Sequence, residues 1–171
     1  LTAFEQVKVF NKIFFKVHKF HGDSKNYHSP VNSYINTVLE SKKGNPLSIC
    51  LLYSIIAQSL DLPIYGVNLP NHFVLAYIDT KGSVSMINED NEYGVLCYIN
   101  AFSNGVIFNT NEIKQFLDEI KRPHRREYFE PCSNSAIIKR MLNNLISSFQ
   151  RVGNSEKVEE LTILRDIIQG N

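Results

Sequence analysis

Residues 44–78 read GNPLSICLLYSIIAQSLDLPIYGVNLPNHFVLAYI, and the hydrophobic pattern changes period part-way through them. Asn45 is a favourable N-cap, and Pro46 at the first helical position loses no hydrogen bond, so a helix is expected to begin here. Apolar residues fill most positions of 47–60, which predicts a helix buried on most sides. From residue 62 onward the pattern is strand-like. The run 72–79 is apolar on both parities, which predicts a central strand covered on both faces.

The contact between this helix and this strand is expected to form the centre of the fold. We predict that the first turn of the helix packs against the start of the 72–78 strand. The side chains of Val74 and Ala76 are small, which would allow a helix to approach the strand closely.

The flanking sequence predicts further helices and an antiparallel meander. Phe4, Val7, Phe10, Phe14, Val17 and Phe20 form an apolar stripe that predicts a helix ending near Gly22 and packing on its own domain rather than on a membrane. Ser29 and Pro30 predict a helix to about Glu40. The runs LPIYGVNL, HFVLAYID, GSVSMIN, VLCYIN and VIFN predict strands. Later helices are expected over about 111–120, 135–151 and 155–169.

These patterns predict an α+β fold. We expect a core with N-terminal helices at residues 1–133, and a helical hairpin at 134–171 packed on it as part of one compact unit. A helical hairpin is the unit of tetratricopeptide-type repeats, but one pair shows no internal repeat.

Composition limits the function classes. The 171 residues include 18 Lys and Arg against 17 Asp and Glu, a net charge of +1. This charge provides no global field for nucleic acid or acidic lipid, so a protein or peptide is the expected partner, with no nucleic acid and no membrane. The absence of a roughly 18-residue apolar run and of a secretory signal predicts a cytoplasmic chain. Because it begins at Leu1, we expect a piece of a longer protein.

Cysteine and motif usage predicts no cofactor. Cys50, Cys97 and Cys132 are too widely spaced for a CxxC metal site or a complete disulfide framework, which favours a reducing compartment. His18 and His21 are one helical turn apart but lack a zinc-binding frame. No glycine-rich phosphate-binding motif occurs, so the sequence indicates neither a metal nor a nucleotide.

His72 is the most informative polar residue, because it begins the predicted central strand where the strand should meet the buried helix. The first turns of that helix hold Ser48 and Cys50, and a helix N-terminus can lower a thiol pKa or stabilise an oxyanion. Two residues rotate a helix by about 200°, so at most one of them can face His72. Each also has a structural interpretation: Cys50 as a small buried hydrophobe and Ser48 as a helix-start hydroxyl.

Asn100 ends the VLCYIN run. If this strand lies beside HFVLAYID, its amide oxygen could accept a hydrogen bond from the imidazole N–H and fix the tautomer. The alternative is a turn residue before Ala101.

The stretches NSYINTVLESKKGNPLSICLLYSIIAQSLDLPIYGVNLPNHFVLAYI, YINAFSNG and IIKRMLNNLISSF, in this order, resemble the bacterial SirB-type group of the transglutaminase-like superfamily. The resemblance implies a papain-like α+β core followed by tetratricopeptide-like helices. In active superfamily members, a helix-start Cys, a strand-start His and an Asp on the next strand form the triad. His72 matches the His, Asn100 stands where Asp is usual, and Ser48 lies nearest the helix-start position, with Cys50 about two residues too late. The resemblance therefore implies a degraded or repurposed triad.

Two functions follow as hypotheses. The first is a non-catalytic binding or scaffold protein that holds a protein partner in its cleft or on its C-terminal hairpin. The alternative is an acyl-transfer enzyme (an amidase, protease or transglutaminase) in which Cys50 or Ser48 attacks a carbonyl, His72 acts as base and Asn100 orients it.

Overall fold

A computed structural model describes residues 1–80 and 93–169 of the chain. The predicted GSVSMIN strand, at residues 82–88, lies outside the described residues. The described helices are α1 (Ala3–Asn11), α2 (Ile35–Ser41), α3 (Pro46–Ser59), α4 (Thr110–Glu119), α5 (Asn134–Arg151) and α6 (Ser155–Gln169). The strands are β1 (His21–Gly22), β2 (Lys43–Gly44), β3 (Ile64–Leu69), β4 (His72–Ile78), β5 (Val95–Asn100) and β6 (Val106–Phe108).

The four longer strands form the predicted antiparallel sheet, in the order β3-β4-β5-β6. β4 lies between β3 and β5, and its residues 73–77 are buried. This confirms the prediction of a central strand covered on both sides. β1 and β2 form a separate short parallel pair that the sequence patterns did not predict.

Helix α3 begins as the sequence predicts. The Asn45 side chain accepts a hydrogen bond from the Ser48 N–H at 2.9 Å, and Pro46 occupies the first turn. The helix packs against β4 and β3. Its contact with β4 is made through Phe73, Leu75 and Tyr77, which share one hydrophobic cluster with α3 residues. We call this side of the sheet the α3 face.

The opposite side of the sheet carries a second hydrophobic cluster, and we call it the α4 face. Here Val74 and Ala76 share a cluster with Ile113 and Leu117 of α4. The prediction that the small Val74 and Ala76 receive the buried helix 47–60 is therefore wrong. Alternate strand residues point to opposite faces, so these two side chains lie opposite α3 and leave room for α4 instead.

The predicted helix over residues 30–40 is two elements. Pro30–Ser33 forms a 3₁₀ turn, Tyr34 is extended, and α2 follows. The reason lies at Asn32, whose carbonyl oxygen accepts hydrogen bonds from the Ser48 hydroxyl and the Asn45 N–H. Because the Asn32 carbonyl accepts these tertiary hydrogen bonds, it does not accept one from a following turn of helix. The first turn therefore does not continue into α2.

The N-terminal helix packs on the core as predicted, but the predicted end near Gly22 is wrong: the helical segment ends at Val17, and His21–Gly22 form β1. Its buried stripe also differs from the prediction. Residues 12–17 form a π-helical turn, in which the His18 N–H donates to the Ile13 carbonyl at 2.9 Å. Phe10, Phe14 and Phe20 are buried, whereas Phe4 and Val17 are exposed. A π turn holds more residues than an α turn, so it rotates Val17 away from the core.

Helices α5 and α6 form the predicted hairpin and pack on each other. Ile137 of α5 belongs to the α3-face cluster, so α5 is joined to the core. No helix in the described ranges is long and apolar enough to cross a membrane.

Candidate functional site

Ser48 lies in the first turn of α3, and its hydroxyl is fully engaged. The side chain is buried, and its Oγ donates to the Asn32 carbonyl at 2.6 Å, with the Asn45 carbonyl at 3.2 Å. Gly44 gives this hydroxyl its space, because a Cβ at Gly44 would lie 2.5 Å from the Ser48 Oγ. A hydroxyl has one proton to donate, and here it goes to backbone oxygen.

Cys50 lies deeper in α3 and is completely buried. Its Sγ donates to the Phe73 carbonyl at 3.4 Å. Burial raises the pKa of this thiol to about 12, and this exceeds the lowering by a hydrogen bond from the Ala101 backbone and by the charge of Arg140. The nucleophilic form of cysteine is the thiolate, so a thiol with this pKa is protonated and unreactive at neutral pH.

His72 begins β4 and lies on the α4 face. It shares strand parity with Val74, and its ring centroid is 5.6 Å from that of Phe116 on α4. The residue is half-buried. Its pKa is lowered, first by burial and then by the positive charge of Arg140, so the imidazole is neutral at neutral pH.

Asn100 ends β5 and caps the 3₁₀ turn Ala101–Ser103. Its Oδ1 accepts a hydrogen bond from the Ser103 N–H at 3.1 Å, and its carbonyl accepts from the Gly105 N–H. This is the turn role that the sequence left open. The amide oxygen is thus already used by the backbone, while the side-chain NH₂ group has no acceptor among the described residues.

His72 and Asn100 line one cavity of about 330 Å³ between the sheet and α4. Ser103 and Glu112 are the other polar residues there, and the Glu112 carboxylate accepts from the Asn109 N–H at 2.8 Å. The apolar lining consists of Leu69, Val74, Val106, Phe108, Ile113 and Phe116. Of the four predicted site residues, the structure brings together His72 and Asn100 and leaves Ser48 and Cys50 across the sheet.

Phe73, rather than His72, is the β4 residue whose side chain faces the start of α3. A second cavity of about 230 Å³ lies here, lined by Phe73 and by Arg140 of α5. The sequence patterns did not indicate Arg140, because its place depends on how α5 docks. Strand parity could have indicated Phe73, since it alternates with His72 along β4.

The described residues hold no group of three or more His, Cys, Asp or Glu side chains that could bind a metal ion. The three cysteines are free thiols. The lining of the His72 cavity is largely apolar, with a few hydrogen-bonding groups and one carboxylate, and such a lining is typical of ligand-binding sites.

Comparison with known proteins places this fold. A family model described as the transglutaminase-like superfamily matches residues 1–143, which extend from the N-terminus into α5. The chain belongs to the transglutaminase-like superfamily. This agrees with the four-stranded antiparallel sheet and the buried helix against it, and it confirms the α+β fold class expected from the sequence.

Relatives of this superfamily member occur in animals and bacteria. It is 29% identical over 157 residues to a human protein named F-box only protein 21, across 91% of this chain and 23% of that one. It is 27% identical over 147 residues to a UPF0162 protein of Vibrio cholerae (84% of this chain, 50% of that one). Over 83 residues it is 36% identical to a UPF0162 protein of Pasteurella multocida (48% and 31%). The chain thus spans half or less of the length of each of these relatives. No solved structure matches it.

Proposed function

We propose that this chain is a non-catalytic transglutaminase-like domain that binds a protein partner. The His72 cavity on the α4 face would take one apolar side chain from an extended segment of that partner. The observation that carries the proposal is the separation of the groups: His72 and Asn100 line a cavity against α4, and Ser48 and Cys50 are buried against α3.

The absence of catalysis is supported by the state of each candidate nucleophile. Activation of a serine or cysteine needs a base within hydrogen-bond reach. The Ser48 hydroxyl donates to Asn32, and the Cys50 thiol donates to Phe73. The ring of His72 packs against Phe116 on the other side of the sheet. For His72 to act as the base for Cys50 or Ser48, its side chain would have to move to the opposite side of the sheet.

Binding of an apolar side chain is supported by the lining of the cavity. Six of its ten lining residues are apolar, and its volume of about 330 Å³ exceeds that of a single large side chain. His72 is kept neutral by burial, and the Glu112 carboxylate already accepts a hydrogen bond from the Asn109 N–H. The amide N–H groups of Asn100, which have no acceptor in the described ranges, can donate to a backbone carbonyl of the bound segment.

An extended segment is supported by the position of β6. Among the strands of the described residues, β6 is an edge of the sheet, and two of its residues, Val106 and Phe108, line the cavity. Edge strands present unpaired backbone groups that can pair with an added strand, and side chains of the added strand then enter adjacent pockets.

A peptide-binding experiment tests this proposal. Fluorescein-labelled, end-blocked pentapeptides with the sequence Thr-Thr-Leu-Thr-Thr, or with a central Asp, are titrated with the protein and followed by fluorescence polarisation. Ser103→Trp would place a large ring at the cavity, and the backbone N–H of residue 103 can still donate to the Asn100 side-chain oxygen. Ser147→Trp, on the exposed side of α5, is the matched control.

The leucine peptide is expected to bind saturably to the wild-type and Ser147→Trp proteins, and at least tenfold more weakly to Ser103→Trp. The aspartate peptide should bind at least tenfold more weakly to all three. Equal binding to both tryptophan variants, or no binding to any protein, would contradict the proposal. Release of amine from a glutamine peptide by the wild-type protein would favour the acyl-transfer alternative instead.

We further infer that the chain falls in the SirB-type group and that α5 and α6 are its tetratricopeptide-like tail. The similarity to bacterial UPF0162 proteins and the antiparallel packing of α5 on α6 support this assignment. A scaffold role and a cytoplasmic location stay predictions from the sequence.

A further inference from the structure

Arg140 of α5 lies partly inside the protein, beside the start of α3. This is where the superfamily resemblance had implied a nucleophile. Its guanidinium is partly buried and lies 5.7 Å from the centroid of the Phe73 ring. One nitrogen, Nη1, donates to the Leu69 carbonyl at 2.6 Å and to the Asn68 side-chain oxygen. These contacts join α5 to the β3–β4 hairpin.

The rest of the guanidinium has no partner in the described part of the chain. Nη1 uses its two N–H groups in the bonds to Leu69 and Asn68, and no hydrogen bond from Nε or Nη2 occurs. No Asp or Glu of the described residues forms an ion pair with Arg140. Burial lowers the pKa of Arg140, which means that its charge is poorly solvated. A poorly solvated cation without a counter-ion favours binding of an anion.

Arg140 lines the cavity of about 230 Å³ at the start of α3. Three of its six other lining residues are polar and none carries a negative charge: Tyr27, Asn71 and Asn144 supply a hydroxyl and two amides. Pro46 and Leu47, the first residues of α3, also line it, so the positive end of that helix dipole adds to the favourable field.

We propose that this cavity is a carboxylate-binding site in which Arg140 is the principal ligand. The Nε–H and one Nη2–H of a guanidinium are parallel and match the two oxygens of a carboxylate. The Tyr27 hydroxyl and the Asn144 amide would donate to the same group. This site lies across the sheet from the His72 cavity, and it does not depend on the function proposed for that cavity.

Titration with sodium acetate, at an ionic strength held constant with sodium chloride, tests the site directly. The probe signal is the Nε–H resonance of Arg140 in nitrogen-proton NMR spectra of the full chain, and the exposed Arg151 serves as internal control. Asn144→Asp places a competing carboxylate at the cavity, whereas Asn143→Asp makes the same charge change at an exposed neighbouring position. Acetylglycine and acetylglycinamide separate a peptide-like carboxylate from a neutral amide.

Acetate and acetylglycine are expected to shift the Arg140 resonance saturably in the wild-type and Asn143→Asp proteins. The Arg151 resonance should not saturate, and Asn144→Asp should weaken binding at least tenfold. The amide should have no effect. The assignment is overturned if Arg140 and Arg151 respond alike, if both aspartate variants behave alike, or if inorganic phosphate binds and acetate does not.

Discussion

The two faces of the sheet differ in the hydrogen bonding of their candidate site residues. On the α3 face, the Ser48 hydroxyl and the Cys50 thiol are buried, and each donates to a backbone oxygen. On the α4 face, His72 and Asn100 border a cavity, and neither the His72 ring nor the Asn100 NH₂ group makes a hydrogen bond within residues 1–80 and 93–169. Around Ser48 and Cys50 the α3 face therefore resembles an ordinary protein core, whereas the α4 face around His72 and Asn100 resembles a binding site. A family motif can keep its residues in order along the chain while strand parity places them on different sides of a sheet.

The largest effect that tests this comparison is overpacking of the α4 face. Ala76→Phe inserts a ring into a fully buried position in the cluster of Ile113 and Leu117, and we expect a loss of about 1–3 kcal/mol. Urea unfolding measures the loss. Adding Ile113→Ala should restore part of the stability, and adding Ile49→Ala, from α3, should not. Rescue by the α3 substitution alone would mean that Ala76 faces α3.

A smaller effect is expected from a hydrogen bond on the α4 face that joins β5 to the loop carrying Phe129. The buried Tyr98 hydroxyl donates to the Phe129 carbonyl at 2.8 Å. Tyr98→Phe keeps the ring and removes this donor, so we expect a loss of about 1 kcal/mol in the free energy of unfolding. Thermal unfolding provides the measurement. An unchanged midpoint would show that the loop carrying Phe129 is not held by this bond.

The smallest effect is a pH dependence at His72. Because burial lowers its pKa in the folded protein, the unfolded chain binds a proton more readily below about pH 6.5, the ordinary histidine value. The stability associated with neutral His72 is present above this pH and is lost as the pH falls towards the folded pKa. The wild-type protein should therefore lose more stability than His72→Gln between pH 8 and pH 5. Equal losses would contradict burial of the ring.

The sequence was informative wherever local pattern determines structure. Asn45 and Pro46 predicted the start of α3, and the apolar runs predicted the order of the strands. Pattern alone did not show which helix covers which face of β4. That choice depends on the docking of α4, whose Ile113 and Leu117 are distant in sequence from Val74 and Ala76.

The candidate site was predicted only in part, because local sequence patterns do not show how distant helices dock. His72 and Asn100 were singled out from the ends of two strands, and they do line one cavity. Arg140 was not singled out, because nothing local in α5 distinguishes a buried arginine from an exposed one. The break before α2 was also missed, since it follows from a tertiary bond between Asn32 and Ser48.

The reactivity of Cys50 tests the central claim most directly. Iodoacetamide labelling of the native protein at neutral pH is followed for each cysteine by peptide mass spectrometry, in the wild-type protein and in His72→Ala. Burial and a pKa of about 12 predict that Cys50 labels no faster than the protein unfolds. The rate, relative to unfolding, should be the same in both proteins. Fast labelling that falls sharply in His72→Ala would demonstrate a working Cys-His pair and contradict the account.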